Sequence, residues 1–147
     1  MKKILILDNL RSVENTASIF RTADGFKVSK IFLIGTTPTP IDRFGRERKD
    51  FAKVSLGAEK TVSWEHSNTV SEVIDKLSDQ GVKIIALEQT PDSKDLKSLS
   101  KPDQFALIVG NEVEGVSQEA LEKADVVAEI PMMGMKESLN VSVATGV

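Results

Sequence analysis

Residues 105–147, FALIVGNEVEGVSQEALEKADVVAEIPMMGMKESLNVSVATGV, decide the fold. Two apolar, strand-like runs sit in this stretch, at 105–109 and 126–130. Each gives way to small or polar residues: Gly110-Asn111-Glu112-Val113-Glu114-Gly115 after the first, Pro131-Met132-Met133-Gly134 after the second. A third element, Ser138-Leu139-Asn140-Val141-Ser142-Val143-Ala144, reads as a helix start with Ser138 or Asn140 near its cap. In an open α/β sheet, ligands bind just beyond the carboxyl ends of the strands. Two such ends with glycines, beside a helix N-terminus offering free N–H groups, predict a small-molecule pocket. The rest of the chain is then what supplies the second substrate.

Outward from there, 82–87 is an apolar strand, and 90–102 is a polar connection. Residues 68–80 carry Val70, Val73, Ile74 and Leu77 at helical spacing, with Gly81 as the stop. Residues 61–64 suit a short third strand, 51–58 are ambiguous, and 35–50 form a loop or irregular segment. Residues 28–34 are β-branched and apolar, a strand. Residues 13–23 place Val13, Ala17, Ile19, Phe20 and Ala23 near a helical period, ended by Gly25. Residues 3–7 form the first buried strand. This alternation predicts an α/β fold, a mostly parallel sheet flanked by helices. There is no internal repeat, low-complexity tract or linker, so residues 1–147 read as one domain.

Composition narrows the chemistry. At 147 residues the chain can bury roughly 70% of its unfolded surface. The absence of cysteine excludes disulfides, thiolate zinc sites and cysteine nucleophiles. With His66 the only histidine, a His-rich metal site is excluded, as is a Ser-His-Asp triad lacking it. No apolar run approaches the ~18–20 residues of a membrane span. The opening, Met1-Lys2-Lys3-Ile4-Leu5-Ile6-Leu7-Asp8, is too short in its apolar core for a signal peptide and reads as the first strand of a cytoplasmic protein. Net charge is −3 and pI about 5.3. Nucleic-acid binders are usually basic, but charge can be segregated on one face.

Several segments can carry chemistry, each with a plainer reading beside it. Asn15 and Arg21 lie six apart, on roughly opposite sides of a regular helix. Both approach one site if Asn15 is still in the loop; otherwise Asn15 is a capping residue and Arg21 a solvated charge. Residues 110–115 bring glycines to a strand end, where backbone can approach a ligand, and equally make an ordinary strand-to-helix turn. They match neither GxGxxG nor a Walker loop. Met132 and Met133 suit an apolar cofactor wall or a core. Ser138 and Asn140 suit helix caps. Arg43, Arg46, Arg48 and Lys49 surround Phe44, a pattern for gripping a phosphate backbone or stacking on a base, though Asp42, Glu47 and Asp50 offset the charge. His66, at a helix entry, reads as a surface residue.

Taken together, Arg11…Asn15…Ala17…Arg21-Thr22-Ala23, Gly110-Asn111-Glu112…Gly115 and Ile130-Pro131-Met132…Ser138-Leu139-Asn140-Val141-Ser142-Val143-Ala144 resemble motifs one, two and three of the SpoU/TrmH family. These are RNA ribose 2′-O-methyltransferases of the SPOUT superfamily. Order and spacing match from Leu7 to the end, and Val54-Ser55-Leu56-Gly57-Ala58 resembles the family's mid-domain turn.

The resemblance implies a deep trefoil knot in the C-terminal part, 105–147, which periodicity does not reveal. It implies S-adenosylmethionine as cofactor, RNA as substrate, no metal, and a homodimer with the active site at the subunit interface. Carried over, Leu87, Gly110, Glu112, Ile130, Met132, Ser138, Leu139 and Asn140 would hold the cofactor. Arg21 and Asn15, with Ser138 and Asn140, would form the catalytic set. Arginine is a poor base, so two roles stay open for Arg21, a phosphate clamp or a base assisted by a nearby substrate phosphate, and the clamp is favoured. Arg11, Arg21, Arg43, Arg46, Arg48 and Lys49, doubled by dimer symmetry, would hold RNA despite the acidic pI. Ala17 stands where the family usually has glycine, and Ser12-Val13-Glu14 replaces a more usual Asn-Pro-x. The chain stops a few residues into the last helix, and a core without an N-terminal RNA-binding domain suits tRNA better than rRNA. The alternatives are a non-catalytic RNA-binding or S-adenosylmethionine-binding protein of the same fold, and a generic α/β nucleotide-binding domain.

Overall fold

The computed structural model describes residues 2–147. In chain order the elements are β1 (Lys2–Asp8), α1 (Val13–Gly25), β2 (Lys30–Ile34), α2 (Lys49–Ser55), α3 (Ala58–Thr61), β3 (Trp64–Ser67) and α4 (Val70–Asp79). There follow β4 (Lys83–Leu87), β5 (Lys94–Asp95), a 3₁₀ turn (Leu96–Ser98), β6 (Gln104–Gly110), α5 (Gln118–Lys123), β7 (Val126–Glu129) and α6 (Val141–Gly146). The strands form one sheet in the order β3-β2-β1-β6-β4-β7-β5. Every pairing is parallel. All strand carboxyl ends therefore lie along one edge.

Helices cover both faces of the sheet, so the central strands are buried on both sides. In β1, Ile4 and Ile6 point into the layer under α4 and α5, where Val73, Ile74, Leu77 and Ala120 pack. Leu5 and Leu7 point into the layer under α1 and α2, with Ala17, Phe20, Ala23 and Phe51. Phe20 and Phe51 meet edge to face, ring centroids 5.2 Å apart, and fasten α1 to α2. Ala17 is fully buried there, so its methyl, where the resemblance implies a glycine, fills core space.

Three expectations need correction, and one stretch left open resolves. Residues 58–61 are helical, and the third strand comes three residues later, at Trp64–Ser67. The ambiguous 51–58 stretch is two short helices, broken where Leu56 (φ 53°) and Gly57 (φ 91°) turn left-handed. The polar connection 90–102 contains β5 and the 3₁₀ turn, and β5 is the outermost strand beside β7. His66 lies within β3 rather than at a helix entry; it is exposed, its Nε2 2.9 Å from the Gly35 carbonyl oxygen.

Candidate active site

A cavity of about 400 Å³ opens at the carboxyl ends of β4, β6 and β7, within the usual size of a small-molecule site. Its lining includes every residue that the resemblance assigns to the cofactor: Leu87, Gly110, Glu112, Ile130, Met132, Ser138, Leu139 and Asn140. Asn15 lines it too.

The loop after β6 is built so that backbone passes close to backbone. Asn111 and Gly115 exchange both main-chain hydrogen bonds, at 3.0 and 2.9 Å. The Asn111 Oδ1 accepts from the N–H groups of Val113 (2.8 Å) and Glu114 (3.0 Å), while its Nδ2 donates to the Asn9 carbonyl (2.8 Å). A Cβ on Gly110 would lie 2.2 Å from the Gly115 carbonyl carbon and the Val116 nitrogen, so only glycine fits. Gly115 has φ +77°, and a Cβ there would strike the Glu88 carboxylate. Glu88 in turn accepts from the Val116 N–H at 2.9 Å.

Three side chains link the three motifs. Glu112 accepts from the backbone N–H groups of Arg11 (3.1 Å) and Ser12 (2.8 Å), at the entry to α1. The Asn15 Nδ2 donates to the same carboxylate over a long 3.5 Å. The Asn15 Oδ1 accepts from the Asn140 Nδ2 at 3.1 Å. Asn140 is also the N-cap of α6, its Oδ1 accepting from Ser142 N–H (2.9 Å). Partial burial pushes the Glu112 carboxyl up, but the Arg11 and Ser12 N–H groups outweigh it and hold its pKa below the ordinary glutamate value. Asn15 is helical rather than in the loop: Ser12 is the N-cap of α1 and its hydroxyl accepts from Asn15 N–H at 3.0 Å.

The charged residues lining the cavity are Glu88, Glu112 and Glu129; no lysine or arginine lines it. Leu87, Ile130, Met132 and Leu139 supply apolar wall. This donor set fits a cationic ligand with an apolar, planar body, as S-adenosylmethionine has, better than a polyphosphate. Among the described residues, no group of three or more His, Asp or Glu is placed to hold a metal ion. Nor is any helix long and apolar enough to cross a membrane.

The basic residues divide. Arg11 is exposed between β1 and α1, next to the cavity. Arg21 is exposed on α1 and does not line the cavity. Six residues of helix place it about 9 Å along the axis from Asn15. Arg46 pairs with Asp42 (3.1 Å) and Arg48 with Asp50 (2.9 Å). Among the described residues, Arg11, Arg21, Arg43 and Lys49 have no ion pair.

Sequence reasoning missed Glu88 and Asp8 and gave Asn111, though within the second motif, no role of its own. Asp8 is 1% exposed and accepts from the Ser117 N–H (2.8 Å), holding the start of α5 against the sheet. An acid directly after an apolar strand was the available signal for both Asp8 and Glu88. The helix α5 follows, as the strand-to-helix reading of 110–115 allowed; its Ser117 cap and the Val116-Ala120-Leu121-Ala124 spacing mark it.

Comparison with known proteins agrees. The SpoU rRNA Methylase family matches residues 2–147. The chain is 32% identical, over 97% of its length, to the 23S rRNA (guanosine-2′-O-)-methyltransferase RlmB of Neisseria meningitidis serogroup B, covering 54% of that protein. It is 31% identical, over 98% of its length, to the tRNA (guanosine(18)-2′-O)-methyltransferase of Aquifex aeolicus, covering 65% of it. It thus spans between half and two thirds of these relatives. The structure superposes on the A. aeolicus TrmH/SpoU tRNA modifying enzyme with TM-score 0.85 at 30% identity, over 99% of this chain and 70% of that one. It superposes equally, TM-score 0.85 at 28% identity, on the AdoMet-bound rRNA methyltransferase from Sinorhizobium meliloti, over 99% of this chain and 53% of that one. The parallel sheet flanked by helices is that of the SPOUT fold, with its C-terminal trefoil knot. By sequence match and by architecture alike, the chain belongs to the SpoU rRNA Methylase family.

Proposed function

We propose that this chain transfers a methyl group from S-adenosylmethionine to a ribose 2′-OH of RNA. The observation that carries the reading is the cavity's charge: Glu88, Glu112 and Glu129 with no basic residue. Such a lining attracts a sulfonium and an ammonium group and repels the phosphates of ATP or NAD. The relatives named for 2′-O-methyl transfer support the reaction class.

S-adenosylmethionine, when bound, supplies a methyl group on a positively charged sulfur. Leu87, Ile130, Met132 and Leu139 would cover its apolar parts, and the backbone at Gly110 would approach it closely. Asn15 uses its oxygen toward Asn140 and its amide nitrogen toward Glu112, so it acts as a positioning group. Glu112 accepts backbone N–H bonds and has a lowered pKa, which suits it to fixing the start of α1 and not to taking a proton. Ser138, at the cavity wall, would contact the ligand with Asn140. Arg21 stands outside the cavity without an ion pair among the described residues and suits a clamp on an RNA phosphate. Holding the 2′-oxygen in line with the methyl group would supply much of the rate; the oxygen–carbon bond would form as the sulfur–carbon bond breaks, with neutral S-adenosylhomocysteine leaving and the 2′-OH proton passing to solvent.

Within this reading the protein is a cytoplasmic homodimer and tRNA is favoured over rRNA. The relative named for tRNA is the one of which the chain covers the larger share, 65% against 54%. The test is incubation with methyl-labelled S-adenosylmethionine and total tRNA or rRNA, then digestion to nucleosides. Label in 2′-O-methylnucleosides from tRNA is expected. Label from rRNA alone would overturn the substrate preference. Tight S-adenosylhomocysteine binding with no label from either pool would overturn catalysis and leave a binding protein of the same fold.

A further inference from the structure

The turn between β2 and α2 presents an exposed aromatic ring among cations. Phe44 is 66% exposed. The guanidinium carbons of Arg43 and Arg46 lie 4.9 and 5.0 Å from its ring centroid. The turn is closed by several hydrogen bonds. Asp42 N–H donates to the Arg46 carbonyl (2.8 Å), and the Asp42 carboxylate accepts from the N–H groups of Phe44 (2.8 Å) and Arg46 (3.0 Å). The Arg46 Nε donates to the same carboxylate at 3.1 Å. Those bonds, from the Arg46 N–H first, keep the Asp42 carboxyl below its ordinary pKa. Arg46 is thus anchored, whereas Arg43 keeps its charge without a carboxylate partner among the described residues.

Position gives the turn its meaning. The sheet runs β2-β1-β6 toward the cavity, so the end of β2 lies two strand spacings, about 10 Å, from the end of β6. Arg11, which follows β1, lies between them on the same carboxyl edge. A chain of nucleotides with one ribose in the cavity, running along this edge, would pass Arg11 and then the end of β2, from which residues 35–43 lead to Phe44. An aromatic ring and guanidinium planes offer faces for a base, and the guanidinium charge offers a phosphate contact. Bases inside a duplex are already stacked, so only an unpaired base can use such a platform.

We propose that the Arg43–Phe44–Arg46 turn is a stacking site for an unpaired RNA nucleotide on the β2 side of the nucleotide whose ribose enters the cavity. It selects RNA in which the target lies in a single-stranded loop. The inference rests on the RNA-methyltransferase reading above.

The test is fluorescence anisotropy with two labelled RNAs of equal length, a stem-loop and a fully paired duplex, with S-adenosylhomocysteine present. Phe44→Ala should weaken stem-loop binding about tenfold, the loss typical of one stacked base, and leave duplex binding within twofold. Phe44→Trp should restore stem-loop affinity. Calorimetric S-adenosylhomocysteine affinity should be the same in all three proteins, which also reports that the variants fold. Stem-loop binding unchanged in Phe44→Ala, or equal losses on both RNAs, would overturn the stacking site alone. If the unaltered protein binds S-adenosylhomocysteine and neither RNA, the RNA reading itself fails and the stacking site with it.

Discussion

The Asn140 Nδ2 donates to the Asn15 Oδ1 at 3.1 Å, joining two residues 125 positions apart. The cap of α6 is thereby tied to the first turn of α1 at the edge of the cavity. Asn140→Ala should cost about 1 kcal/mol as a lost N-cap, before any loss of the contact. A double-mutant cycle with Asn15→Ala, read by urea unfolding, should give a coupling of about 0.5 kcal/mol or more. Strict additivity would mean that the two side chains do not meet in solution.

Glu112 should give the protein part of its acid limb. Its carboxyl has a lowered pKa in the folded chain and the ordinary one when unfolded. On acidification the unfolded chain takes the proton first, so the stabilisation is complete above the ordinary glutamate value and is lost as pH falls through the folded value. Glu112→Gln should be less stable than the parent at pH 7 by roughly 0.5–1 kcal/mol, a size kept small by solvent exposure. That gap should narrow as pH falls from the ordinary glutamate value through the lowered folded one. Urea midpoints across this range check it, and a gap persisting at the acid end would show that charge is not what holds the start of α1.

What could be read from the residues follows from where burial is symmetric and local. In β1, β4 and β6 the apolar runs are continuous because helices cover both faces, so the runs show without any partner information. The two residues of β5 carry no periodic signal, and they join the sheet only because β7 lies beside them. The break between α2 and α3 depends on Leu56 adopting φ 53°, which leucine rarely signals. The knot is a matter of threading, which no local pattern encodes. At the site, Gly110 was legible as a strand-end glycine, whereas a role for Glu112 came only through the family resemblance. Neither the reach of Glu112 to Arg11 and Ser12 nor the buried role of Asp8 is local: the partners lie about a hundred residues away in the chain.

Arg21→Ala should separate substrate handling from cofactor binding. Its side chain is exposed on α1 and outside the cavity. Methyl transfer should fall by at least about a hundredfold if the guanidinium positions the RNA backbone at the reacting ribose. S-adenosylhomocysteine affinity should stay within twofold. Single-turnover labelling and calorimetry on the same preparations check the pair, and loss of both together would place Arg21 in cofactor binding instead.

Gly110→Ala should be the most damaging single methyl in the loop after β6. The added carbon would come within 2.2 Å of the Gly115 carbonyl carbon and the Val116 nitrogen, both main-chain atoms that cannot swing aside. Relief requires the 111–115 turn to move, which breaks the Asn111–Gly115 pairing and shifts Glu112 from the N–H groups of Arg11 and Ser12. A destabilisation of about 1–3 kcal/mol is expected, as for overpacked cores. S-adenosylhomocysteine affinity should fall at least tenfold, because cavity lining moves with the turn. Gly134→Ala is the control: a Cβ there meets nothing within 4 Å. It should melt with the parent and bind S-adenosylhomocysteine alike. Thermal melts and calorimetry on the two variants decide the matter. Equal, mild effects at both positions would mean that the backbone contact at Gly110 is looser in solution than the 2.2 Å approach requires.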